Sequence, residues 1–441
     1  MSIVKSKRFW VTLVLFSLIG QVAWVVENMY FNVFIYKMFN ASASQISLMV
    51  GASSVVATLT TILIGALSDK LGKRKIFISL GYILWGVSIL AFALLREDVI
   101  GAIFPTVASV SALCITLTII LDCLMTFFGS SANDACFNAW LTDVTEENTR
   151  GKVEGINSMM PLMAILVVFG GFMSFDLEKA SSWTTIFIII GVVVIIIGIC
   201  SFFLVQEMPA KVEGNQNYFK NIIYGFRPST IKTNPVLYVT IIAFALFGIS
   251  IQIFMPYLII YYEKSLELTN YVFVMAPAII IAGIITAFYG RYYDKAGFTG
   301  SIIPALICLA LGYVLLGLFE NVVLVFIGSL LMMTGYLCGM AVFGAMIRDY
   351  TPVSKAGAFQ GLRIVGQVLI PGIIGPAVGA WVLRDAKTII NSDGTTSFLP
   401  NQSIFWAALV VIVVVVATVF LIRLILSKTN KKKEEPPKVE E

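Results

Sequence analysis

Histidine is absent from this 441-residue chain, and charge is scarce, with 12% of residues acidic or basic. The first absence removes the side chain most used as a general base and as a metal ligand, which weakens an enzymatic reading. The second sets the chain apart from soluble domains, where roughly a quarter of residues are charged. Cysteine is present six times (Cys114, Cys123, Cys136, Cys200, Cys308 and Cys338), always within apolar runs and never as C-x-x-C. These read as small buried residues, not as disulfides or metal ligands. A glycine-rich phosphate loop, metal-ligand spacing and a nucleophile elbow are also missing, so no cofactor and no metal are expected. A polytopic membrane enzyme would need such a cluster, and is the least favoured reading.

Apolar residues dominate instead, at 59%, with a mean hydropathy of +0.92. Such a chain cannot cover its apolar surface with polar residues, so the bilayer must be its solvent. The net charge of +5 does not indicate nucleic-acid binding, because the cations cluster in short loops. Lys5, Lys7 and Arg8 precede an apolar run too long for a signal-peptide core, with no small-residue cleavage site, so the first span is expected to be retained. At about 20 apolar residues per crossing, twelve helices are predicted near 9–37, 43–67, 75–95, 110–141, 152–175, 183–205, 236–262, 270–290, 300–319, 322–347, 357–383 and 404–427. Residues 1–206 and 235–427 form two sets of six, joined by a cytoplasmic loop at 207–234 and followed by a tail at 428–441 expected to be disordered. Within the loop, Tyr218–Phe226 could lie on the membrane surface as a short amphipathic helix. With the N-terminus cytoplasmic, only Lys37, Arg96, Lys179, Lys264, Arg384 and Lys387 of the 30 basic residues fall in outward loops. Both termini are therefore expected inside, in a bacterial or archaeal cytoplasmic membrane.

Two motifs recur once per half. Gly65, Asp69, Lys70, Gly72, Lys73, Arg74 and Lys75 give G-x-x-x-D-K-x-G-K-R-K, and Gly290, Asp294, Lys295 and Gly297 repeat its first part. Asp143, Thr145, Gly151 and Gly155 give D-x-T-x5-G-x3-G, which Asp349, Thr351, Gly357 and Gly361 reproduce. The first motif resembles the loop between the second and third helices of the major facilitator superfamily. The resemblance covers the whole chain and implies an all-α membrane protein of twelve helices in two pseudo-symmetric six-helix bundles, with a substrate site near mid-membrane. It also implies a cytoplasmic latch. Asp69 would sit near the start of the eleventh helix, and Arg74 would pair with Asp143 or Glu146.

Ionisable residues inside a span cost roughly 2.5–3.5 kcal/mol at mid-helix and usually face a cavity or a partner. Glu27, Asp122, Asp134 and Arg363 are the candidates. At 100° per residue, Gln21, Trp24, Glu27, Asn28, Asn32 and Tyr36 share one side of the first span, and Tyr30 points away. An aromatic ring beside amides and carboxylates suits a polyhydroxylated ligand, although Asn and Gln also serve as helix glue. In the fourth span Thr118, Asp122, Thr126, Gly129 and Asn133 form a stripe with Asp134 to one side. In the eleventh, Gln360, Arg363, Gln367 and Pro371 align. At about 1.5 Å per residue, Glu27 and Asp122 fall in one tier, and Arg363 falls level with Asn133 and Asp134 in another. The first, fourth, seventh and tenth helices line the cavity in the resembled fold, which adds Gln252, Pro256 and Tyr257.

The acid in the first span, the acid in the fourth and the base in the eleventh resemble the glycoside–pentoside–hexuronide:cation symporters. Sodium-coupled members carry paired acids in the second span, whereas Gly51–Leu67 has none. Two desolvated carboxyls close together do not both ionise easily, so a proton is the expected coupling ion. The leading reading is a monomeric, proton-coupled importer of a sugar or glycoside. The alternative is a proton-driven exporter of amphipathic or drug-like compounds. The pattern Gly372, Gly375, Pro376, Gly379 resembles an antiporter motif but lies in the eleventh span instead of the fifth.

Overall fold

The computed structural model describes residues 6–145, 147–207, 225–268, 270–351, 356–391 and 394–434, with the backbone alone at 147–152, 154, 155, 158, 356–358, 360 and 428–434. The proposed surface helix lies largely outside this set, as does the tail from 435 onward. Among the described residues, ten helices are long and apolar enough to cross a membrane. One of them, Val272–Leu318, is two spans joined at Gly297, whose φ of 67° and ψ of −177° break the helix. A side chain at this φ would be strained, which explains a glycine at this point in the second copy of the first motif. Glu147–Phe172, apolar from Met159 onward, supplies the remaining crossing, so the spans number twelve.

The chain divides into two compact units. The first contains Met1–Gln216, Met255–Val272 and Gly379–Asn401. Its first span (Lys7–Phe39), second (Ala43–Leu71), third (Arg74–Phe92), fourth (Val110–Val144), fifth (Glu147–Phe172) and sixth (Ala180–Leu204) pack on one another. Small residues set the approach. A Cβ on Gly86 would meet Gly191 O at 2.6 Å, which holds the third and sixth spans backbone to backbone. Near one end, Phe31, Phe34, Phe92, Trp183 and Phe187 interlock with centroid distances of 4.6–5.9 Å. The unit also includes the far end of the seventh span (Pro235–Ser265) and a short hairpin.

That hairpin, β1 (Thr388–Ile390) against β2 (Thr396–Phe398), is antiparallel and was not predicted. Its strands are rich in β-branched residues and Gly394 takes φ 82° in the turn. Asn391 Nδ2 and Ser397 Oγ each donate to Asn40 Oδ1 at 2.8 Å, and Tyr36 Oη donates to Phe398 O at 2.7 Å.

The second unit contains Asn217–Phe254, Phe273–Val378 and Gln402–Glu441. Ser250 Oγ donates to Ala408 O at 2.9 Å and lies 3.1 Å from Tyr313 Oη, tying the seventh, ninth and twelfth spans. The last helix, described over Ser403–Glu434, runs past the expected end at 427, as the helix-forming Lys and Glu of this stretch allow.

Candidate transport site

Among the described residues, four short π-helical turns interrupt the spans: Val26–Tyr30 in the first, Ser130–Phe137 in the fourth, Tyr261–Ser265 in the seventh and Val365–Leu369 in the eleventh. They contain Glu27, Asn133 and Asp134, Glu263, and Gln367 respectively. A π turn widens the helix by one residue and frees backbone groups, which is why such turns cluster at functional positions.

Within the first unit, the first and fourth spans bring two carboxyls together in the interior. Glu27 is buried, and its Oε1 accepts a 2.9 Å hydrogen bond from Thr126 Oγ1. Asp122, one helical turn from Thr126, is buried beside it, with the Ser53 hydroxyl of the second span facing Asp122. Glu27 Oε2 and Asp122 Oδ1 have no hydrogen-bond partner among the described residues. The pair is thus buried and incompletely satisfied. That is a costly arrangement for two charges.

About two turns along the fourth span from Thr126, Asp134 accepts from Ser130 Oγ at 3.0 Å and from Asn133 Nδ2 at 3.4 Å. Asn133 Oδ1 in turn lies 2.9 Å from Tyr82 Oη, which is 3.0 Å from Phe16 O. A Cβ on Gly20 would meet Asn133 Oδ1 at 2.6 Å, so the first span must be bare there for Asn133 to sit. Trp24 packs on Trp85 at 5.1 Å, and both rings lie against Gly129. Gln21 is half-buried near this group, while Asn28 is exposed and donates to Trp24 O at 2.8 Å. Tyr30, expected to point away, is buried with its Oη 3.1 Å from Tyr271 Oη.

Gln252, Arg363 and Gln367 belong to the second unit, each half-buried; the Gln360 side chain lies outside the described residues. Pro256 and Tyr257 fall in the first unit, where Tyr257 Oη donates to Ala43 O at 3.1 Å.

At one end of the first unit, Arg74 binds three groups. Its guanidinium pairs with Asp69, donates from Nε to Asp143 Oδ2 at 3.1 Å and from Nη1 to Ser68 Oγ at 2.6 Å. Gly72 (φ 64°) caps the second span, and a Cβ on Gly65 would lie 3.9 Å from Ala135 Cβ. Glu146 lies outside the described residues. The second unit differs in chemistry. There Tyr293 Oη donates to Asp349 Oδ2 at 2.7 Å, and Asp294 and Gly290 are exposed.

At the opposite end sits an ionic cluster that sequence reasoning did not single out. Lys37, only 3% exposed at its side chain, lies 2.5 Å from Glu263 Oε1 and 3.3 Å from Glu178 Oε1. Lys264 donates to Glu178 Oε1 at 2.7 Å. Burial pushes the Glu178 carboxyl up, but the Lys264 hydrogen bond and the Lys37 charge outweigh it and hold it below its ordinary value. Lys37 was visible only as an outward-loop cation, and nothing in the sequence joins it to Glu263.

The sequence model of the Major Facilitator Superfamily matches residues 9–336, and the chain belongs to that superfamily. It is a transporter rather than an enzyme. A mutant of the nucleoside transporter NupG is similar in fold, with a TM-score of 0.70 and 13% identity over 93% of this chain and 99% of that one. A bacterial homologue of the human lysosomal transporter Spinster, inward-facing and unoccupied, gives a TM-score of 0.67 and 17% identity over 98% and 100%. Curated protein sequences yield no match.

Proposed function

We propose that this chain is a proton-coupled symporter that imports a sugar or glycoside by alternating access of two six-helix bundles, 1–206 and 235–427. The observation that carries the reading is the buried Glu27–Asp122 pair, each with one carboxylate oxygen lacking a partner among the described residues. Two acids so deeply buried share a proton more readily than they carry two charges. Proton loss or gain there changes the local charge by one unit, which is a means of coupling. Trp24 and Gln21, with Asn133 and Asp134 further along the fourth span, offer a ring and hydrogen-bonding groups suited to a polyhydroxylated solute. The acids Glu27 and Asp122 and the base Arg363 resemble the pattern of the glycoside–pentoside–hexuronide branch. Lysine and arginine placement puts Asp69 and both termini on the cytoplasmic side.

The test is external pH in energy-starved cells, or around proteoliposomes, on adding a panel of monosaccharides, glycosides and nucleosides. Alkalinisation with one sugar or glycoside is the expected result. Response to a nucleoside alone would keep symport and overturn the sugar class. Silence across the panel from folded protein would overturn symport in favour of an exporter of amphipathic compounds. Glu27→Gln should abolish uphill accumulation while substrate exchange persists.

A further inference from the structure

We infer that the fourth span carries the coupling proton between the buried Glu27–Asp122 pair and the open end of the span at Asn138, with the hydroxyls of Thr126 and Ser130 and the carboxyl of Asp134 as its relay. The inference rests on the proton-coupled reading above and gives that reading a path. Six polar residues of this span recur at intervals of four: Thr118, Asp122, Thr126, Ser130, Asp134 and Asn138. In a regular α-helix four residues overshoot a full turn by about 40°, so a row this long would wind off its face. The π turn Ser130–Phe137 winds less per residue, so the same spacing falls short there and the row drifts back. Spacing and π turn together keep these side chains in one row.

The row leads from a closed place to an open one. Thr118, Asp122, Thr126 and Ser130 are buried, Asp134 is half-buried and Asn138 is exposed. Polar side chains exposed within a span line water in preference to lipid. Two links of the row are in place. Thr126 Oγ1 lies 2.9 Å from Glu27 Oε1, and Ser130 Oγ donates to Asp134 Oδ2 at 3.0 Å. The two hydroxyls are one turn apart, where Cβ atoms stand about 5–6 Å from each other, a gap that one water bridges. Glu27 Oε2 and Asp122 Oδ1 lack partners among the described residues, which leaves the pair able to take up a proton. Glu27 of the first span and Tyr82 of the third face Asp134 from other spans. For release, Thr126 turns its hydroxyl from Glu27 toward Ser130. A proton then passes from Glu27 Oε1 to Thr126 Oγ1, the proton of Thr126 passes through the water to Ser130 Oγ, and that of Ser130 passes to ionised Asp134. Both hydroxyls end neutral, the pair has lost one proton, and Asp134 yields it to solvent. Thr118, beyond Asp122 in the other direction, donates to Cys114 O at 2.8 Å and takes no part.

The test uses hydrogen isotopes as its probe and needs no substrate. The full chain in lipid bilayers on an infrared reflection crystal is switched from ordinary to heavy water, and the shift of the protonated-carboxyl C=O band is followed in time. Loss of the band in Glu27→Gln and Asp122→Asn assigns it to the pair. Thr126→Val and Ser130→Ala should each slow its exchange at least tenfold. Thr126→Ser, which keeps the hydroxyl, should exchange at the wild-type rate, and so should Thr118→Val. An unchanged rate in Ser130→Ala, or equal slowing by Thr118→Val, would overturn the relay and leave the pair as proton carrier. Absence of the band from the wild type would overturn the pair and the relay together. Ser130→Ala removes one oxygen from a residue that bonds Asp134 and not the pair, so it decides the matter even where Thr126→Val fails to fold.

Discussion

Lys37→Met is the sharpest perturbation of the first unit. The ammonium it removes is almost fully buried and binds Glu263, whose side chain is 17% exposed, and Glu178, which is 52% exposed. Breaking one partner of a buried pair costs about 3–5 kcal/mol, because the remaining charge is stranded. The partial exposure of Glu263 places the expected loss near the bottom of that range, at about 3 kcal/mol. Glu178 contributes little to it, since it keeps Lys264 at 2.7 Å and is half in solvent. Glu263→Gln alone strands Lys37 less severely, because Glu178 remains at 3.3 Å, and should cost about 2 kcal/mol. Removing both charges leaves no stranded ion, so the double variant should lose only about 2 kcal/mol, with a coupling energy of about 3 kcal/mol. The assay is equilibrium unfolding in mixed micelles, followed by pulse proteolysis, for all four proteins of the cycle. Additive losses, or a Lys37→Met protein within about 0.5 kcal/mol of wild type, would refute the view that this pair holds the end of the bundle.

Acid should weaken the same cluster. The folded Glu178 carboxyl lies below its ordinary value of 4.5, so its contribution is present above that value and lost as pH falls through the folded one. Melting temperature in detergent should be level from neutrality to about pH 5 and fall below about pH 4, and Lys264→Met should flatten that fall. Arg74→Gln removes the links to Asp69, Asp143 and Ser68 together; a loss of about 1–2 kcal/mol is expected for these part-exposed groups, and unchanged thermal stability would count against it. Gly20→Val drives a side chain into Asn133 Oδ1, so transport should fall at least tenfold and stability by about 1–3 kcal/mol, read by uptake and by thermal melting.

The twelve crossings were legible because a bilayer leaves no choice: each backbone polar group must be satisfied within an apolar helix about 20 residues long. Even the break at Gly297 was visible, as the end of a repeated loop motif. The hairpin at Thr388–Phe398 was not, because strands this short carry almost no periodicity. The ionic cluster was hidden for another reason. Four spans lie between Lys37 and Glu178, and the sixth lies between Glu178 and the span that carries Glu263, while a lone charge at the end of a helix reads as a topological marker. The π turns account for the rest. A π turn carries one residue more than an α turn, about 100° of helical phase. A stripe drawn at constant phase through Val26–Tyr30 therefore loses register after Glu27. Asn28 is exposed, while Tyr30, Asn32 and Tyr36 are buried. Glu27 and Asp122 are independent of that phase, because each was selected for its cost in the bilayer. Helical phase is a good guide to packing faces and a poor one to sites, since the turns that build sites are the ones that break it.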